Sequence, residues 1–266
     1  MATAAPVYEE RRMSVGRVFQ RAFSAITLNP AVILGLALVV GALPSLIMSF
    51  VFYRLGLSSP DALRTGAISP AGFAGAMFLS SLIMLVISSL VQGALTRATV
   101  SANEGVRATF GQSLAAGLRV VLPLIGLTFL WAFGVGIGFV LLIVPGIILL
   151  MMWAVAVPAL VVERQGVFAS FSRSNELTKG VRWRIFGLSL ILLVIYWLLS
   201  VVVGLVGLGM YRPAVSGGLT IANLIGSILV GTIFNALWGT IQPSLYVELR
   251  QWKEGGSAEN LAEVFA

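Results

Sequence analysis

The chain has 266 residues and contains neither cysteine nor histidine, and only 10% of its residues are charged. Without cysteine there is no disulfide and no thiolate nucleophile or ligand, and the redox compartment stays open; without histidine there is no imidazole metal site and no histidine acid/base pair. Serine and cysteine nucleophile arrangements lack their base, and no glycine-rich phosphate loop or His–Glu metal motif occurs. The sequence therefore predicts no catalytic residue, no metal and no cofactor. Charge is absent most completely between Arg119 and Glu163, where 43 successive residues carry none. A single helix of that length would reach roughly 65 Å, about twice the hydrocarbon thickness of a bilayer, so the run must fold back on itself. Pro145-Gly146 near its middle is the expected turn, since proline pre-sets the first corner and glycine tolerates the second.

What is present instead is apolar: 58% of residues are hydrophobic and the mean hydropathy is +1.00. These values predict an all-α, polytopic integral membrane protein. With about 20 apolar residues per span, six transmembrane helices are expected near Ala31–Phe52, Ala71–Leu95, Val120–Val144, Gly146–Val162, Ile185–Met210 and Leu219–Val247, arranged as three hairpins. The first is too long for a signal-peptide core and reads as a retained span. One transmembrane domain over 13–252 is flanked by a flexible tail over 1–12 and a cytoplasmic tail over 253–266.

The basic residues set the expected orientation. Fourteen of the 17 Lys and Arg residues fall before the first span, between the second and third, between the fourth and fifth, or after the last; only Arg54, Arg64 and Arg212 fall on the other side. The positive-inside rule then places both termini in the cytoplasm, with Tyr53–Pro70 and Tyr211–Ser216 outside. The pI of about 10.6 reflects topology charges beside anionic headgroups, not nucleic-acid binding.

Each cytoplasmic segment reads as an amphipathic helix lying in the interface. In the first, Val15, Val18, Phe19, Ala22, Phe23 and Ile26 share one stripe opposite Arg17, Gln20, Arg21 and Ser24, with Ser14 as N-cap. Arg17, Arg21, Phe19 and Phe23 are the expected lipid-binding residues, rings in the acyl boundary and guanidinium groups among phospholipid headgroups. The second starts at Thr109 and carries Phe110, Leu114 and Leu118. The third runs from Gly166 to about Thr178, is the least amphipathic, and stops at Gly180. Together they suggest a threefold repeat over 14–97, 109–164 and 166–250. Pro158-Ala159-Leu160-Val161-Val162-Glu163 and Pro243-Ser244-Leu245-Tyr246-Val247-Glu248 are its clearest match, and Gly93-Ala94-Leu95 a fainter one.

No span carries an ionisable residue near its centre, which disfavours ion-coupled transport. Neutral polar groups cluster in the second span (Ser80, Ser81, Ser88, Ser89, Gln92) and the last (Asn223, Ser227, Thr232, Asn235, Thr240, Gln242); these suit interhelical hydrogen bonds or, alternatively, a path for a small or amphipathic solute. Gly134 with Gly138 and Ala71 with Gly75 are small-residue pairs for close packing. Trp131, Trp153 and Trp197 lie inside spans, as packing residues, while Trp183 and Trp252 suit the interfacial belt. Glu163 and Glu248 are expected as interfacial ion pairs with Arg164, Arg173 or Arg250; a lipid-active enzyme using both carboxylates is the other reading.

The start Ser14-Val15-Gly16, the apolar hairpin around Pro145-Gly146, Pro158 to Glu163, and above all Arg173-Ser174-Asn175-Glu176-Leu177-Thr178-Lys179-Gly180 followed by Trp183 resemble the YciC-like proteins and the membrane domain attached to some glycerophosphoryl diester phosphodiesterases. The resemblance implies a multi-pass protein of the bacterial inner (cytoplasmic) membrane connected with envelope or lipid homeostasis. It carries over no catalytic residue, because the soluble hydrolase domain and its histidines have no counterpart here. Membrane phospholipids, anionic ones in particular, are the expected partners, and a non-enzymatic role the expected function.

Overall fold

The structure is a computed structural model describing residues 13–55, 66, 69–209 and 221–264. Among these it is helical, with no strand: α1 Val15–Leu28, α2 Pro30–Leu36, a π-helical stretch Ala37–Ala42, α3 Leu43–Arg54, α4 Pro70–Asn103, α5 Phe110–Leu141, α6 Ile143–Met152, α7 Ala156–Glu163, α8 Val167–Thr178, α9 Arg182–Gly209 and α10 Ile221–Val264. Five stretches are long and apolar enough to cross a membrane: Pro30–Phe52, Pro70–Asn103, Phe110–Leu141, Ile143–Glu163 and Arg182–Val201. Large apolar side chains on them point away from the bundle, among them Phe78, Leu122, Phe129, Phe133, Val140 and Leu193. An outward apolar surface of this extent has hydrocarbon as its natural solvent. The tail over 1–12, the Tyr211–Ser216 loop and most of Tyr53–Pro70 lie outside the described residues.

Helices run further than hydropathy suggests. α4 continues past its apolar part to Asn103, and α5 begins at Phe110, so the segment expected as a second interfacial helix is the first turns of a 32-residue helix. A capping box starts it: the Thr109 side chain accepts from Gln112 N, and the Gln112 side chain accepts from Thr109 N. α10 likewise continues through the expected C-terminal tail to Val264.

The reversal in the long uncharged run occurs at Leu142, in extended backbone, and not at Pro145-Gly146. Pro145 sits in the first turn of α6, where its missing N–H has no intrahelical partner to lose. Gly146 serves packing: a Cβ on Gly138 would stand 2.9 Å from the Gly146 Cα, and one on Gly134 2.6 Å from the Trp153 ring. The Gly134/Gly138 pair thus lets α6 run back along α5 at close range. Gly75 of the other small-residue pair faces nothing within 4 Å.

The fourth apolar stretch is broken at Trp153–Val155, between α6 and α7. Backbone groups freed in an apolar bundle need partners. Ser174 of α8 supplies both, donating to the Met152 carbonyl at 2.9 Å and accepting from Val155 N at 3.2 Å, while Thr178 Oγ1 reaches the same carbonyl at 3.3 Å. This explains the weak amphipathicity of α8: its inward face is Ser170, Phe171, Ser174, Leu177 and Thr178. α1 turns Val18, Ala22 and Ala25 inward, so the stripe expected in the acyl boundary is largely covered by protein.

A bulkier residue at Gly138 should separate α5 from α6, since its Cβ meets backbone that has no room to move. Gly138→Val is expected to destabilise by about 1–3 kcal/mol, whereas Gly136→Ala, which meets nothing within 4 Å, should be neutral. Thermal unfolding of the two variants in detergent, followed by size exclusion, measures the difference.

Candidate functional site

Apart from Arg54 at the end of α3, the described charged residues collect at one end of the bundle, where two carboxylates organise the helices around them. Glu248 on α10 is only 4% exposed. It accepts Arg17 Nε at 2.7 Å and Arg21 Nε at 3.2 Å, and Ser14 N lies 3.4 Å away. Arg17 and Arg21 are one helical turn apart on α1, so both reach one carboxylate. Ser14 holds the N-cap position without capping through its side chain; its backbone N–H goes to Glu248 instead.

Glu163 at the end of α7 is also largely buried. It accepts Arg173 Nε of α8 at 2.9 Å, the Tyr246 hydroxyl of α10 at 2.7 Å and Gln165 Nε2 at 2.7 Å. Arg173 also pairs with Glu254 and stands 3.8 Å from Glu176, and Arg250 Nε reaches Glu254 at 2.8 Å. Burial favours the neutral form of Arg173, but its bonds to Glu163 and Glu254 outweigh this and push its pKa up. For Glu254, burial raises the pKa, while hydrogen bonds from Arg250 and Arg173 prevail and hold it below the usual carboxylate range. The cluster is therefore a persistent set of charge-assisted bonds.

Of the pairings expected from sequence, Glu163 with Arg173 is present. Arg250 is joined to Glu254, and Glu248 is met by α1 from the other end of the chain. Phe19 packs against the core while Phe23 is 54% exposed. Sequence reasoning missed Tyr246 and the Ser170–Ser174–Thr178 stripe; the four-residue spacing of three hydroxyls facing inward was the available signal.

A second group of arginines sits where α4, α5 and the end of α7 meet. Arg97, Arg119 and Arg164, with Ser101, Gln112 and Ala116, line a groove of about 510 Å³. Among the described residues none of the three pairs with a carboxylate. Within the apolar bundle, a cavity of about 390 Å³ is lined by Trp131, Trp153 and Trp238 with Gln92, Gln242 and Ser189. Most other polar side chains of α4 and α10 bond back onto their own helix: Ser80 and Ser81 to the Met77 carbonyl, Asn235 to Gly231, Thr240 to Ala236. They are not the interhelical bonds expected, and they leave the two glutamines as the amides available to the cavity.

Neutralising both partners of Glu248 leaves a buried carboxylate uncompensated. Arg17→Gln/Arg21→Gln is expected to lose at least about 1 kcal/mol, less than for a fully buried pair because Arg17 is 45% exposed. Adding Glu248→Gln should recover much of the loss, a coupling that thermal unfolding of the double and triple variants measures. Equal stability of the two would mean the cluster contributes nothing.

No protein-family model, no characterised protein and no solved structure matches this chain.

Proposed function

We propose that this is a non-enzymatic inner-membrane protein of envelope or lipid homeostasis that binds anionic phospholipid along its charged end. In this reading α10 provides a sixth span, the spans form three hairpins, and both termini are cytoplasmic. One observation carries the proposal: exposed aromatics, Phe23 at 54%, Phe168 at 77% and Trp183 at 83%, stand within four residues of Arg21, Arg164, and Arg182 with Arg184, respectively. Rings in the acyl boundary beside cations at headgroup level are the pattern of a surface that holds anionic lipid. Glu163 and Glu248 are held by arginines, which suits ion pairing better than proton transfer, since a general base must reach its substrate.

The central cavity favours a second reading, a carrier for a small or amphipathic solute, because its apolar wall holds a few converging polar groups. Solute flux into liposomes separates this from lipid binding.

The protein purified in mild detergent should retain phosphatidylglycerol in preference to phosphatidylcholine by native mass spectrometry, with the preference falling as salt is added. Equal retention of both lipids by the unmodified protein would reject the reading. For orientation, a cysteine at Ser59 should react with an impermeant thiol reagent in intact cells and one at Ser172 should not.

A further inference from the structure

Glu163 and Glu248 stand five residues after Pro158 and Pro243. The residue five after Gly93, which holds the corresponding place in α4, is Ala98. Their arginines, Arg173 and Arg21, immediately precede the small buried residues Ser174 and Ala22. Gly117 of α5 is the matching small residue, and Ala116 precedes it. The match is one of contact as well as spacing. Ser174 meets the backbone at Val155, three residues before Pro158; a Cβ on Gly117 would stand 2.8 Å from the carbonyl oxygen of Leu90, three residues before Gly93. The α7/α8 and α10/α1 seams carry a carboxylate–arginine pair. The α4/α5 seam has alanine at both places.

The arginine-lined groove opens at that seam, and Ala116 is part of its wall. The groove itself has no acidic lining residue. Glu104 lines a smaller adjoining cavity of about 200 Å³ together with Arg97 and Arg164. Arg164 ends α7 in the left-handed region at φ 51°, the one described residue other than glycine with positive φ. Such strain is kept where a position matters more than its local cost. Ser101 and Gln112 add neutral hydrogen-bonding groups, and the positive end of the α5 dipole adds to the field. Val106 and Leu118, both more than half exposed, put apolar surface beside the cations.

We propose that this groove binds the phosphate of an anionic phosphate ester, with Arg97, Arg119 and Arg164 as its clamp. Guanidinium forks match phosphate oxygens in shape and charge. The proposal rests on the lipid-binding reading and names the place where the headgroup phosphate is held. The seam lacking its internal carboxylate takes its counter-charge from the ligand.

The test uses the full chain in mild detergent, with phosphatidylglycerol, phosphatidylcholine and inorganic phosphate as probes. Arg97→Gln/Arg119→Gln/Arg164→Gln should weaken phosphatidylglycerol binding about tenfold or more. Ala116→Glu puts a carboxylate into the groove wall, at the place the other two seams give to arginine, without removing an arginine, and should do the same. That single change on a partly exposed wall keeps the test valid if the triple variant fails to fold. Millimolar inorganic phosphate that competes with the lipid, and stabilises the unmodified protein but not Ala116→Glu, would support the site with a soluble phosphate ester as ligand; no competition would support it with the lipid headgroup. If the unmodified protein prefers phosphatidylglycerol and both variants bind it equally well, the groove is not the site and lipid binding lies elsewhere. If the unmodified protein shows neither lipid preference nor a phosphate effect, both readings fall.

Discussion

A carboxylate at the edge of an apolar bundle stays charged only where cations and hydrogen-bond donors come to it. Glu248 and Glu163 impose that condition here. Glu248 draws α1 onto α10, bringing Arg17 and Arg21 from the far end of the chain to one side chain. Glu163 draws α8 to the end of α7 and takes the Tyr246 hydroxyl from α10. The two short helices are thus positioned as much by these bonds as by their apolar faces.

A second constraint acts deeper, on the backbone. The chain interrupts an apolar helix at Trp153–Val155, and the freed groups at Met152 and Val155 would be severely destabilising in hydrocarbon. The hydroxyls of Ser174 and Thr178 satisfy them from the neighbouring short helix. Arg173, adjacent in sequence to Ser174, binds Glu163. One helix therefore closes the backbone break through one residue and neutralises a carboxylate through the next, joining the interior to the charged end. Trp153, at the break, packs on Phe171 of that same helix with ring centroids 4.6 Å apart.

The α4/α5 contact obtains the same closeness by other means. Gly93 and Gly117 let backbone meet backbone, a Cβ on Gly93 falling 2.9 Å from the Gly117 Cα. Among the described residues no ion pair bridges this contact, and the arginines around it, Arg97, Arg119 and Arg164, are exposed along the groove. The contrast with the two carboxylate-bearing contacts gives the charged end its asymmetry: two sides are internally neutralised and one is not.

Composition and the spacing of apolar residues were enough to make this an all-helical protein with long membrane-type helices, because hydrocarbon solvent permits few alternatives and leaves a hydropathy signal more than 40 residues long. The Glu163–Arg173 pairing was also legible, since the two lie ten residues apart across one short connection. The partners of Glu248 were not. Arg17 and Arg21 are more than 220 residues away, and only the packing of α1 on α10 brings them there. Nor did hydropathy locate the reversal at Leu142 or the break at Val155. Both depend on contacts between helices, Gly138 on Gly146 and Ser174 on the freed backbone, and a sliding average of side-chain polarity carries no information about which backbone groups a neighbouring helix is placed to satisfy.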